Sequence, residues 1–174
     1  MNAPATVQSN SKPYKILVCD DQADVVEALR LLLKGQGWQT VTADSPKGLL
    51  DAAKGDSFDL ILTDLNYTRD TTSGKEGMDL LAALEDQGNT VPVIVMTAWG
   101  NVDLAVEAMR RGACDFVQKP WDNNRLLATI RKQAEPMRQR KSELEIAANV
   151  QQKMFPRKLH RVMSLDYAGH CVPA

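Results

Sequence analysis

Phe58-Asp59-Leu60-Ile61-Leu62-Thr63-Asp64 is a short apolar run closed by an acid, and its form recurs along the chain. Ile16-Leu17-Val18-Cys19 runs into Asp20 and Asp21, Val91 to Met96 runs into Thr97, and Asp115-Phe116-Val117 precedes Lys119 and Pro120. Uninterrupted apolar runs, rather than alternation, predict strands buried on both faces, as in a parallel sheet. Gln39 to Ala43 supplies one more short strand. Amphipathic stretches lie between the runs. Val25, Val26, Leu29, Leu32 and Leu33 follow helical spacing and stop at Gly35 and Gly37. Ser45-Pro46 reads as a cap with proline at the first helical position, for a helix to about Gly55. Met78, Leu80, Leu81 and Leu84 fit a third helix. Asn101 caps a fourth with Val102, Ala105, Val106 and Met109 as its buried face. Asp122 caps a fifth through Leu126, Leu127 and Ile130. Five strands alternating with five helices predict an α/β, doubly wound five-stranded parallel sheet.

Right-handed crossovers bring the C-terminal ends of all strands to one edge, where such sheets bind ligands. That edge receives Asp20 and Asp21 from the first strand, Asp64 from the third, Thr97 from the fourth and Lys119 from just past the fifth. Three carboxylates in one cleft repel unless a cation sits among them, and an all-oxygen donor set suits Mg²⁺. A carboxylate can attack phosphorus, with metal and ammonium neutralising charge on the transferred group. A hydroxyl can then bind a phosphate oxygen.

Other readings are weaker. An aspartate-nucleophile phosphatase would carry its nucleophile and a second acid after the first strand. A flavin or nucleotide site would want a glycine- or hydroxyl-rich loop there, where this chain has Asp20-Asp21-Gln22-Ala23-Asp24. No P-loop is present. Basic Lys132, Arg138, Arg140 and Lys141 are interrupted by Glu135, Glu143 and Glu145, with no helix-turn-helix pattern after them. The 21 basic and 22 acidic residues leave a net charge of −1, which argues against a general nucleic-acid or membrane binder. The longest apolar run, Val91–Trp99, is under half of the roughly 20 residues a membrane span needs. The first residues lack the apolar centre of a signal peptide, and Cys19 and Cys114 read as buried thiols, so a cytoplasmic location is expected. Met78, Met96 and Met109 read as core or groove filler, and His160 and His170 as surface residues.

The signatures Ile16-Leu17-Val18-Cys19-Asp20-Asp21, Leu60-Ile61-Leu62-Thr63-Asp64-Leu65, Val93-Ile94-Val95-Met96-Thr97-Ala98 and Asp115-Phe116-Val117-Gln118-Lys119-Pro120 resemble those of response-regulator receiver domains of two-component signalling, over Lys15 to Ala134. The resemblance implies that Asp64 is the phosphoacceptor, phosphorylated from a histidine kinase. It implies Mg²⁺ held by Asp21, Asp64 and the main-chain carbonyl of Asn66, with Asp20 assisting through water. Lys119 would pair with a phosphate oxygen, while Thr97 and Phe116 act as the switch. Phosphorylation would bias the face of the fourth helix, fifth strand and fifth helix. Two departures stand out. The loop after Asp64 is longer than the family's short turn, since the glycine opening the third helix corresponds to Gly77. Trp99 either shields the phosphoryl group from water or is an exposed loop aromatic.

Residues 1–13 read as a disordered leader and 14–135 as the receiver. Pro136 is expected to break the helix, and 136–156 to form a helical linker at near-heptad spacing, a candidate coiled coil. Residues 157–174 read as the truncated start of an output domain. The segments 145–156 and 165–174 resemble the entrance to a PPM-family serine/threonine phosphatase domain, whose metal-binding aspartates would lie further on. The chain itself is therefore expected to be a signalling receiver and not that enzyme. Its partners would be a histidine kinase, its own C-terminal output and a second copy of itself, paired through the linker or the switch face. The alternatives are a receiver of an NtrC-type transcriptional regulator and a stand-alone receiver.

Overall fold

The computed structural model describes residues 12–67, 74–98 and 102–154. Trp99, Asn101, the middle of the long loop and residues 155–174, which carry the end of the first phosphatase-like motif and all of the second, lie outside them.

The elements alternate as expected: β1 (Lys15–Cys19), α1 (Ala23–Gly35), β2 (Gln39–Ala43), α2 (Pro46–Gly55), β3 (Leu60–Asp64), α3 (Lys75–Asp86), β4 (Val93–Thr97), α4 (Val102–Arg110), β5 (Asp115–Gln118) and α5 (Asn123–Met154). All neighbouring strands pair in parallel, in the order β2-β1-β3-β4-β5. The chain thus builds outward from β1 in one direction and then, from β3, in the other. The reversal opens a crevice at the C-terminal ends of β1 and β3.

Alternate residues of the central strands point to opposite faces. Leu17, Ile61, Val93 and Val95 pack on one side with Leu49 of α2, Leu81 and Leu84 of α3 and Ala108 of α4. Ile16, Val18, Leu60, Leu62, Ile94 and Met96 pack on the other with Leu29 and Leu33 of α1 and Leu126 and Ile130 of α5. The sheet is therefore covered on both faces, which explains the unbroken apolar runs. Local signals held at the caps. The Ser45 hydroxyl accepts the Gly48 N–H at 3.3 Å, and the Asp122 carboxylate accepts that of Arg125 at 2.8 Å.

Two expectations are corrected. In α4 the buried residues are Ala105 and Ala108, with Leu104 partly buried beside them, whereas Val102, Val106 and Met109 are 59%, 46% and 41% exposed. The stripe 104/105/108 is the expected stripe 105/106/109 moved by one residue, about 100° around the helix. Small side chains let α4 lie close to the sheet, which leaves the bulkier stripe outside. Pro136 does not end a helix, because α5 runs through it. Its ring is exposed, so the Lys132 carbonyl that loses its partner can be hydrated.

The chain divides into two compact units, Met1–Gln139 and Arg140–Ala174. In the first, Arg138 donates to the Lys12 carbonyl and stacks 4.9 Å from the Tyr14 ring centroid. Tyr14 in turn donates to Glu135 and meets Trp38 edge-on. These contacts hold α5 past Pro136. In the second, the described residues are helical, with Leu144, Ile146 and Val150 exposed. Among the described residues, no helix is long and apolar enough to cross a membrane.

Candidate functional site

Asp64 is the last residue of β3, buried at the crevice, and both its oxygens are engaged. One accepts the Asn66 N–H at 3.1 Å and the other the Lys119 ammonium at 2.9 Å. Lys119 reaches it because β5 pairs with β4 to the end: its own N–H donates to the Thr97 carbonyl at 2.7 Å, extending the ladder by one bond. The Lys119-Pro120 peptide is cis. The same ammonium lies 2.6 Å from Asp20, whose other oxygen accepts the Gln22 N–H. Asp20, Asp64 and Thr97 are all almost fully buried.

Oxygens of Asp20, Asp21 and Asp64 lie within 4.8 Å of one another. Burial pushes the Asp64 carboxyl above the usual range, with Lys119 and the Asn66 N–H pulling it back. Burial acts to lower Lys119, but its bonds to Asp20 and Asp64 outweigh that and hold it above the ordinary value. Among the described residues, the Lys119 ammonium bridges two of the three clustered carboxylates, Asp20 and Asp64. The Asn66 side-chain oxygen is buried without a hydrogen-bond partner. An all-oxygen set of this kind fits a hard divalent cation. Asp21, Asp64, Asn66 and Lys119 line a cleft of about 210 Å³.

The expected site residues thus converge, with two qualifications. Asp20 bonds directly to Lys119, beyond any water-mediated part in metal binding. Phe116, the expected switch aromatic, is 42% exposed on β5.

Sequence reasoning missed a buried polar chain beneath the site. The Tyr67 hydroxyl lies 2.8 Å from the Thr63 hydroxyl and donates toward Cys19 Sγ at 3.2 Å. Thr63 also approaches the Asp64 carbonyl, and the Cys19 thiol donates to the Ser45 carbonyl. Burial pushes the Cys19 thiol up to about 11, so at neutral pH it is a packed thiol and not a nucleophile. The signal available in the sequence was a lone tyrosine in an otherwise polar loop.

Residues 16–131 match the response regulator receiver domain model. The chain is 38% identical over 124 residues to the transcriptional regulatory protein FixJ of Bradyrhizobium diazoefficiens, covering 70% of this chain and 58% of that one. It is 34% identical over 117 residues to the transcriptional regulatory protein ZraR of Escherichia coli, covering 67% of this chain and 25% of that one. Among solved structures, the N-terminal signal receiver domain of a two-component response regulator from Bacteroides fragilis superposes with a TM-score of 0.63 at 35% identity, covering 71% of this chain and 98% of that one. The chain therefore spans little more than half of one curated relative and a quarter of the other. Both are transcriptional regulatory proteins, and neither supports the phosphatase resemblance read in residues 145–174. With its sheet order, its acidic crevice and its sequence all in agreement, the chain belongs to the response regulator receiver domains of two-component signalling.

Proposed function

We propose that Asp64 accepts a phosphoryl group from the phosphohistidine of a histidine kinase. The observation that carries this is the Asp64 carboxylate at the sheet's reversal point, bonded to Lys119 with Asp20 and Asp21 beside it. An Asp64 oxygen attacks phosphorus, the bond from phosphorus to the histidine nitrogen breaks, and the imidazole leaves with that electron pair. Asp20, Asp21, Asp64 and the main-chain carbonyl of Asn66 would hold Mg²⁺, which would supply positive charge for the phosphoryl oxygens. Lys119 shifts from a carboxylate oxygen to a phosphoryl oxygen, keeping its charge-assisted bond. The Thr97 hydroxyl turns to donate to the same group, and the space it vacates draws Phe116 inward. Loss of that aromatic from the surface would reshape the face of α4, β5 and α5, a candidate pairing surface for a second copy. A two-state face biased by one covalent group is a sufficient switch.

The partner of that switch is a C-terminal output. The named relatives favour a transcriptional output, whereas the PPM-type phosphatase reading rests on the tail's resemblance alone.

The test is intact mass after incubation with Mg²⁺ and acetyl phosphate. Wild type should gain one hydroxylamine-labile phosphoryl adduct and Asp64→Asn none. An adduct of equal yield in Asp64→Asn would overturn the assignment.

A further inference from the structure

Resting on the reading of the Asn66 carbonyl as a metal ligand, we propose that Tyr67 is a positioning residue for that carbonyl, anchoring it through the buried hydroxyl. The carbonyl of residue 66 lies in the rigid peptide plane that ends at the Tyr67 Cα, so whatever fixes Tyr67 fixes one end of that plane. The other end has poorer support. Among the described residues, the backbone tethers of the turn stop at Leu65, whose N–H donates to the Met96 carbonyl and whose main chain is packed against Gly77. The Asn66 N–H is bonded to the Asp64 carboxylate, which is itself a reacting group. Its bond cannot hold the turn still while Asp64 changes partners. Beyond Tyr67, residues 68–74 contain no apolar side chain with which to anchor the chain.

Among the described residues, Tyr67 is the anchor available. Its ring is buried in the core cluster that includes Leu65, Met78 and Leu80, and its hydroxyl meets Thr63 of β3 and Cys19 of β1, the strands that flank the crevice. Two hydroxyl protons, on Tyr67 and Thr63, are available for three contacts, Tyr67 to Thr63, Tyr67 to Cys19 and Thr63 to the Asp64 carbonyl, so two of the three are hydrogen bonds at any moment. Each hydroxyl thus has a partner, and a buried network so satisfied helps to fix one geometry. It ties the residue after the ligand to the strands carrying the other ligands. Such outer partners of metal ligands typically contribute about 10- to 100-fold to metal affinity.

The experiment is calorimetric titration of Mg²⁺ into the metal-free protein, with amide hydrogen exchange read alongside. Tyr67→Phe keeps the ring and removes the hydroxyl. It should weaken Mg²⁺ binding about tenfold and speed exchange at residues 65–67 while leaving the sheet core protected. Labelling by acetyl phosphate should fall at low Mg²⁺ and return to the wild-type level at saturation. Thr63→Val, which removes the other hydroxyl, should weaken Mg²⁺ in the same direction, and this variant decides the matter if Tyr67→Phe does not fold. A lower melting temperature with unchanged Mg²⁺ affinity would make Tyr67 a core residue only and overturn the inference. Wild type that binds no Mg²⁺ would instead overturn the metal reading on which the inference rests.

Discussion

Replacing Gly77 with alanine should destabilise the protein, although alanine is the better helix former. A Cβ built at Gly77 falls 2.6 Å from the Leu65 carbonyl oxygen and 2.7 Å from the Leu65 Cα. Ordinary contacts begin near 3.5 Å, so α3 must move by roughly 0.8 Å from the end of β3. Both atoms are backbone, and no rotamer change can relieve the clash. Overpacking of this kind costs up to about 3 kcal/mol, against a helix-propensity gain of about 1 kcal/mol, for a net loss near 2 kcal/mol. Gly35, the last residue of α1, is the control: nothing lies within 4 Å of its built Cβ. Gly35→Ala should be neutral or stabilising by up to about 1 kcal/mol. Urea unfolding of the three proteins reads the difference as a shift in midpoint at constant slope. Because Leu65 follows Asp64, Gly77→Ala should also slow phosphorylation. A Gly77→Ala protein as stable as Gly35→Ala would refute the close-approach argument.

Pro136→Ala should restore the missing N–H bond inside α5. Thermal unfolding followed by helical circular dichroism should show a gain on the order of 1–3 kcal/mol, and a loss would mean that the proline geometry is needed where α5 packs on Tyr14. The Asp64 carboxyl is raised by burial, so the folded metal-free protein holds this proton more tightly than the unfolded chain does. That preference favours the metal-free fold toward acid and fades as pH rises through the folded value. Protons and Mg²⁺ compete for the same oxygens. Mg²⁺ affinity measured by calorimetry should therefore decline on acidification at a higher pH than an ordinary aspartate would require. A decline no earlier than that of an ordinary aspartate would count against Asp64 as a ligand with a raised proton affinity.

The sites legible in the sequence share a cause. Asp20, Asp21, Asp64, Thr97 and Lys119 each end or follow a strand. Once the strands are parallel, chain direction alone carries all of them to one edge, and no distance need be known. The Ser45 and Asp122 caps were legible because a cap is satisfied within a few residues of itself. Even the doubly wound layering follows from runs that are apolar on both faces.

What the sequence left open required knowing which surfaces meet. Helical periodicity in α4 admits two adjacent stripes, and hydrophobicity favoured Val102, Val106 and Met109. Only the packing of α4 on the sheet selects the alanines. Pro136 reads as a break because its missing bond is local, while the contacts that carry α5 through it come from Lys12 and Tyr14, over a hundred positions earlier. Tyr67 has the same character: its partner Cys19 lies 48 positions away on β1. Direction and capping are properties of the chain, and so the sequence alone determined the fold class and the acidic edge. Close approach between layers and the buried hydroxyl chain exist only when distant segments are brought together, and the tertiary structure decided them.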